Sequence, residues 1–421
     1  MTVSREIVIT GTGVISPIGI GGDAFWQSLC QGHSGVRRLE IFNGDAMPPP
    51  LASEVADFDP KQSVRPRKSL KVMSRDIQLA FAAADMACRE AALEGGAVAP
   101  ERLGVVFGAD MILCDLSELH PAFARCTTNG RFDSRRWGES AMAEMYPLWM
   151  LKYLPNMPAC HIGIAQDARG PNNSITLGEA SSLAAVIEAV RVLQRGQADV
   201  IIAGGAGCRI QQTVWAYGGA YHFSRRLDDP ARAMRPFDAD RDGTVHGEGA
   251  GAVVLESREH AEARGAKILA RVGGFAACFE PHAAGRQPSG HAIRQSILQT
   301  LDRSGVTPAE LGYVNAHGLS TPREDRIEAQ AVRDALGNVP VTALKSYFGS
   351  LGAGGGAVEL IASVLAFAHG RVPPTLNYQK PDPQCPIRVI HGEPMTLERP
   401  TALVLNQTRT TQAMALLLSA P

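Results

Sequence analysis

The stretch from Gly170 to Gly207, GPNNSITLGEASSLAAVIEAVRVLQRGQADVIIAGGAG, constrains this chain more than any other. It reads as a Gly-containing turn, a helix over about 180–194, a second short turn and a buried strand, ADVIIAGG. Leu183, Val186, Ile187, Val190 and Leu193 recur at helical spacing and set an apolar stripe. Ala180, Ser181, Ser182, Ala184 and Ala185 are small, so the helix can lie close to its neighbours. Such a helix belongs in the interior.

The same design returns in GAGGGAVELIASVLAFAHG, again a Gly-rich turn feeding an Ala-rich helix. An internal duplication leaves this kind of echo, and the boundary between halves is placed near residue 257, giving 1–257 and 258–421. Strand-like runs occur at 7–10, 103–109, 199–205 and 251–257, and again at 268–275, 311–316, 340–344 and 401–406. Helical stretches such as SRDIQLAFAAADMACREAALEG lie between them, which makes the chain a layered α/β protein. Its 421 residues, 45% hydrophobic, are enough for a substantial core.

Five ordered blocks carry a resemblance. They are REIVITGTGVISPIG near the start, Gly170–Gly207, RPFDADRDGTVHGEGAGAVVLE (Arg235–Glu256), and the pair YVNAHGLSTPREDRIEAQAV (Tyr313–Val332) and LKSYFGSLGAGGGAVELIASVLA (Leu344–Ala366). Together they resemble the β-ketoacyl-ACP synthases, the condensing enzymes of fatty-acid and polyketide synthesis. The resemblance implies a thiolase-type five-layered αβαβα fold built from two duplicated halves, with the two central helices back to back. It also implies an acyl carrier protein as partner, a homodimer or a heterodimer with a Cys-containing ketosynthase, and no cofactor.

Carried over by motif, the resemblance puts Glu179 where the family has its nucleophilic cysteine. A thiolate is a strong nucleophile whose pKa falls at a helix N-terminus, and its thioester keeps an acyl group reactive. A carboxylate does neither job well. The family's first histidine is matched by His317, its lysine by Lys345 and its glutamate by Glu359, whereas Ser350 stands at the second histidine. The C-terminal gating loop of the family reads here as NQTRTTQAM, Asn406–Met414. This pattern resembles the chain-length factors, which keep the ketosynthase fold and pair with an active ketosynthase.

Two functions follow as expectations. The first is a non-condensing subunit in which Glu179 fills the former nucleophile position as a cap on the helix amides, and Lys345 and Glu359 form a buried ion pair. The second is altered acyl-thioester chemistry (acyl transfer, hydrolysis or decarboxylation) using Glu179 and His317. The first is preferred.

Other features are read more narrowly. Lys61, Arg65, Arg67, Lys68 and Lys71 cluster at the start of an expected helix; the resemblance makes Arg65, Arg67, Lys68 and Lys71 a docking patch for an acidic carrier, and a solvated helix face explains them equally. Met142, Met145, Trp149, Met150 and Met157 fall in the least family-like stretch, 111–161, where core packing is preferred over an adaptable apolar groove. Asp238, Asp240, Asp242 and Gly243 imitate a calcium loop, but Glu248 falls at position eleven rather than twelve, so a structural turn is expected and no metal. A net charge of -1 argues against nucleic-acid binding. The eight cysteines form no C-x-x-C pair, and no run reaches about 18 consecutive apolar residues, so a cytoplasmic protein without membrane insertion is expected.

Overall fold

The computed structural model describes residues 5–39, 51–93, 96–217, 222–281, 288–409 and 411–421. Every strand-like run of the sequence becomes a strand. In chain order the main ones are β1 (Ile7–Ser16), β2 (Leu103–Ala109), β3 (Asn172–Ile175), β4 (Val200–Cys208), β5 (His246–Ser257), β6 (Ala270–Phe279), β7 (Tyr313–Asn315), β8 (Pro340–Thr342), β9 (Arg388–Val389), β10 (Thr401–Gln407) and β11 (Gln412–Ser419).

These strands hydrogen-bond in the order β9-β8-β7-β10-β11-β6-β1-β5-β4-β2-β3. The first half runs β3-β2-β4-β5-β1 and the second β8-β7-β10-β11-β6, the same order with the same directions: β2 is parallel to β3 and β4, as β7 is to β8 and β10. β5 is antiparallel to β4 and β1, as β11 is to β10 and β6. The halves meet through the antiparallel pairing of β1 with β6. The expected duplication is therefore written in the topology, and the fold is the thiolase-type ketosynthase fold.

Helices α1 (Arg75–Glu90), α2 (Ser181–Gln194), α3 (His291–Ser304), α4 (Glu324–Leu336) and α5 (Gly355–His369) complete the layers. α1 covers β1, β4 and β5 from outside, and α3 covers β6 and β11 with α4 against it. α2 and α5 sit between the two halves of the sheet and touch each other: the Ser182 hydroxyl accepts the Ala357 N–H at 3.0 Å. Leu183, Val186, Ile187, Val190 and Leu193 are all buried, and with Leu360, Ile361 and Val364 of α5 they form the central core. Close approach needs bare backbone: a Cβ on Gly108 of β2 would lie 2.5 Å from the carbonyl carbon of Ser181. The run Gly352–His369 is long and apolar enough to cross a membrane by length and composition, with mean hydropathy 1.3, yet 78% of it is buried as the core helix α5.

Three local expectations are corrected. The stretch 406–414, matched to the family's gating loop, carries strand at both ends: Asn406 and Gln407 close β10 and Gln412–Met414 open β11, because Ala413, Ala415 and Leu417 bury against the second-half core. The basic residues do not open a helix: Lys61 lies in the four-residue helix Pro60–Ser63, and Arg67, Lys68 and Lys71 lie in the 3-10 helix Arg67–Val72, which ends before α1 begins. Finally, Met142 and Met150 are not core residues, being 88% and 60% exposed.

The Asp238–Gly243 segment is a structural turn, as expected. The Asp238 carboxylate accepts the N–H groups of Asp240, Gln379 and Lys380, and Asp242 accepts the Ser224 hydroxyl and the Arg225 N–H. Arg241 is buried against Asp382 at 2.6 Å and donates to the carbonyls of Asp238, Thr321 and Pro322.

Candidate functional site

The site forms where α2 and α5 begin and where β4 and β7 end. Before α2, the Ser181 hydroxyl accepts the Leu177 N–H at 2.8 Å and donates to the Gly178 carbonyl at 2.7 Å. Gly178 takes φ +54°, a conformation glycine adopts without steric cost. This tight turn sends Glu179 inward, where it is 4% exposed.

The expectation that helix amides hold Glu179 is corrected. Among the described residues its carboxylate accepts two side-chain hydrogen bonds instead, from Arg209 Nη1 at 2.7 Å and from the Ser350 hydroxyl at 3.0 Å, both onto Oε1. Arg209 is the first residue beyond β4 and is itself buried. Its Nε lies 3.2 Å from Asp110 Oδ2, and that oxygen also accepts the Ala353 N–H at 3.0 Å. A Cβ on Gly352 would collide with both Asp110 and Arg209, so the bare backbone of the turn before α5 leaves room for the pair. Asp110, Arg209 and Glu179 thus form a chain of alternating charge, closed on the second-half side by Ser350 and Ala353.

His317, beyond the end of β7, is fully buried. Its own N–H and that of Gly318 donate to Glu328 of α4 at 2.7 and 2.9 Å. Lys345 Nζ is within 3.1 Å of His317 Nδ1, donates to the His317 carbonyl at 2.9 Å and pairs with Glu359 Oε1. The other Glu359 oxygen accepts the Asn406 side-chain amide at 3.1 Å. The expected buried ion pair of Lys345 and Glu359 is present. Because the ammonium points at Nδ1, that nitrogen is the acceptor and the ring proton sits on Nε2, which faces Glu179 Oε2 at 3.9 Å without a hydrogen bond.

The electrostatics follow from burial. Desolvation, then the charges of Lys345 and Arg209, hold His317 well below its ordinary pKa, so it is neutral. Burial pushes Glu359 up to about 7 despite the Lys345 ammonium and the Asn406 amide, and it pushes Glu328 up to about 7 despite its two backbone donors. A neutral imidazole therefore lies beside a carboxylate already paired to a guanidinium.

Glu179, His317, Ser350, Lys345 and Glu359 are therefore brought together. Arg65, Arg67, Lys68 and Lys71 are not part of this group; they are exposed and, among the described residues, make no ion pair. Sequence reasoning missed Arg209 and Asp110. One signal was available: an arginine directly after a strand of small and apolar residues, AGGAGC, has to find a buried counter-charge. A cavity of about 360 Å³ lies against the next residues of the same segments, lined by Leu319, Arg323, Ile327, Gln407 and Gln412 among others.

Two family models match, the beta-ketoacyl synthase N-terminal domain over residues 4–261 and the beta-ketoacyl synthase C-terminal domain over residues 269–379. The chain belongs to the beta-ketoacyl synthase family. This family member is 34% identical over 405 residues to a 3-oxoacyl-[acyl-carrier-protein] synthase 2 of Synechocystis sp., with 93% of this chain and 92% of the relative covered. It is 36% identical over 389 residues to the tetracenomycin polyketide synthase ketoacyl synthase alpha subunit of Streptomyces glaucescens, covering 90% and 89%. Among solved structures it matches the ishigamide ketosynthase/chain length factor at TM-score 0.86 and 28% identity, with both chains fully covered. It also matches a type II polyketide synthase ketosynthase solved in complex with its acyl-carrier protein, at TM-score 0.86 and 27% identity.

Proposed function

We propose that this beta-ketoacyl synthase family member is a non-condensing subunit of the chain-length-factor type, paired in the cytoplasm with a Cys-containing ketosynthase and serving carrier-bound acyl chains in fatty-acid or polyketide assembly. The observation that carries the reading is the state of Glu179. At the position the family motif gives to its nucleophile stands a carboxylate already engaged by Arg209 and Ser350. An acyl-glutamate would be an anhydride open to hydrolysis, and forming one would strand the Arg209 charge in the interior.

The surface supports a partner. Nine of the ten large hydrophobic side chains exposed among the described residues lie between Met111 and Ile164. Phe123, Phe132 and Trp137 form an aromatic cluster there, with ring centroids 4.8 to 6.4 Å apart. β3, the outermost strand of the first half, is paired on one side only, and Asn172 and Asn173 on it are exposed. Exposed apolar side chains and an open sheet edge are what a second ketosynthase-fold subunit would cover. The exposed Arg65, Arg67, Lys68 and Lys71 fit an acidic carrier.

The test is co-expression with a Cys-containing ketosynthase from the same host, followed by incubation with an acyl-carrier thioester. The expected result is a stable complex in which mass spectrometry finds the acyl group on the partner's cysteine and none on this chain. Turnover of an acyl thioester by the isolated chain, abolished by Glu179→Ala, would overturn the proposal.

A further inference from the structure

Away from Glu179, three arginines converge on one small cavity. Arg226, Arg232 and Arg235, with Asp228, Asp229 and Gln379, line a space of about 240 Å³ between the segment that precedes β5 and the chain after α5. Arg235 is 5% exposed. Its only side-chain hydrogen bond among the described residues is a long one, Nη2 to the Asn377 carbonyl at 3.4 Å, and its buried Nε has none. The nearest carboxylate, Asp238, is 3.7 Å away and already saturated by three backbone N–H groups.

The other two guanidiniums are oriented but not used up. Arg232 donates from Nη2 to Gln379 Oε1 at 2.6 Å and lies 3.8 Å from Asp229. Arg226 donates from Nη2 to the Asp240 carbonyl and lies 3.7 Å from Asp242. A nearly buried guanidinium with most of its five donors unmatched is costly, and an oxyanion would satisfy it. Three guanidiniums face Asp228 and Asp229 in the lining, while Asp238 and Asp242 lie just outside it, each 3.7 Å from its arginine and too far for a hydrogen bond. Planar forks arranged round a compact space match the oxygens of a tetrahedral anion.

We propose that Arg226, Arg232 and Arg235 form a binding site for a phosphate group, free or as a small monoester. Bound there, it ties the Arg226–Arg235 segment of the first half to Gln379 of the second. The segment also reaches the candidate site, because the Arg235 N–H donates at 2.9 Å to the hydroxyl of Ser320, three residues beyond His317.

The experiment uses the full chain, with its melting temperature and calorimetric titration followed in inorganic phosphate, in phenyl phosphate and in acetate at equal ionic strength. Phosphate is expected to bind saturably and raise Tm by roughly 2 °C or more at about 20 mM. Arg226→Ala/Arg232→Ala, which leaves the buried Arg235 in place, is expected to weaken binding at least about tenfold, and Arg135→Ala on the distant surface is expected to leave it unchanged. A response to either phosphate form upholds the site, and comparing the two identifies the source. The proposal falls if neither form binds, if acetate stabilises equally, or if the double variant binds phosphate like the parent.

Discussion

Arg209 is where a residue-level argument about this molecule has the most to gain. It pairs with both Asp110 and Glu179, so its removal leaves two carboxylates without their shared cation, Glu179 buried and Asp110 half-buried. Arg209→Ala is expected to cost about 3–5 kcal/mol, read from urea unfolding. Glu179→Ala/Arg209→Ala should cost less than the sum of the two single changes, because the pair is lost together. Glu328 gives a second test. Its folded pKa, raised to about 7 from 4.5 chiefly by burial, means that its contribution to stability is fully present below about 4.5 and is lost as pH rises through about 7. In Glu328→Gln that slope disappears, so the parent's advantage over the variant should shrink between pH 5 and pH 7.5 in the same unfolding assay. The residues picked out by motif, Glu179, His317, Lys345, Ser350 and Glu359, lie together in the structure. What holds Glu179 was not legible, because Arg209 is thirty residues away along the chain and reaches it only after β4 has been laid beside β2.

Among the elements, periodicity did most of the work. The stripe Leu183–Leu193 and its echo in α5 announce two buried helices, and both lie between the two halves of the sheet. The last hairpin was missed because a run of Thr and Gln, NQTRTTQ, looks like a loop, whereas its end residues Gln407 and Gln412 already belong to strands anchored by Leu405, Ala413, Ala415 and Leu417 in the core. The basic cluster was misplaced for a related reason: Pro60 and Pro66 divide it into short turns, so α1 starts only after Ser74. Element packing is testable at Gly108. An added methyl there would press 2.5 Å from the Ser181 carbonyl carbon, so Gly108→Ala is expected to destabilise by about 1–3 kcal/mol, measured by thermal unfolding.

For the whole molecule, the two halves share one strand order and are sewn together by β1 and β6. Met142 and Met150 read as core by composition and lie outside it, whereas Met157 packs against a buried cluster; an apolar surface has the same amino acids as an interior, so composition does not separate them. If that surface seats the second subunit, Phe123→Asp/Phe132→Asp should weaken the complex by roughly tenfold or more in a titration against the partner, with the unfolding midpoint of the isolated chain little changed. The Lys345, Glu359, Asn406 and His317 network carries a wider lesson. Each member is bonded to another deep inside the protein, so deleting any one strands a charge or a donor at a penalty of several kcal/mol. Drift cannot dismantle such a knot one mutation at a time. Under the proposed non-condensing reading, a descendant that has given up an ancestral reaction would go on inheriting its furniture, and its lysine and histidine would testify to ancestry more than to turnover.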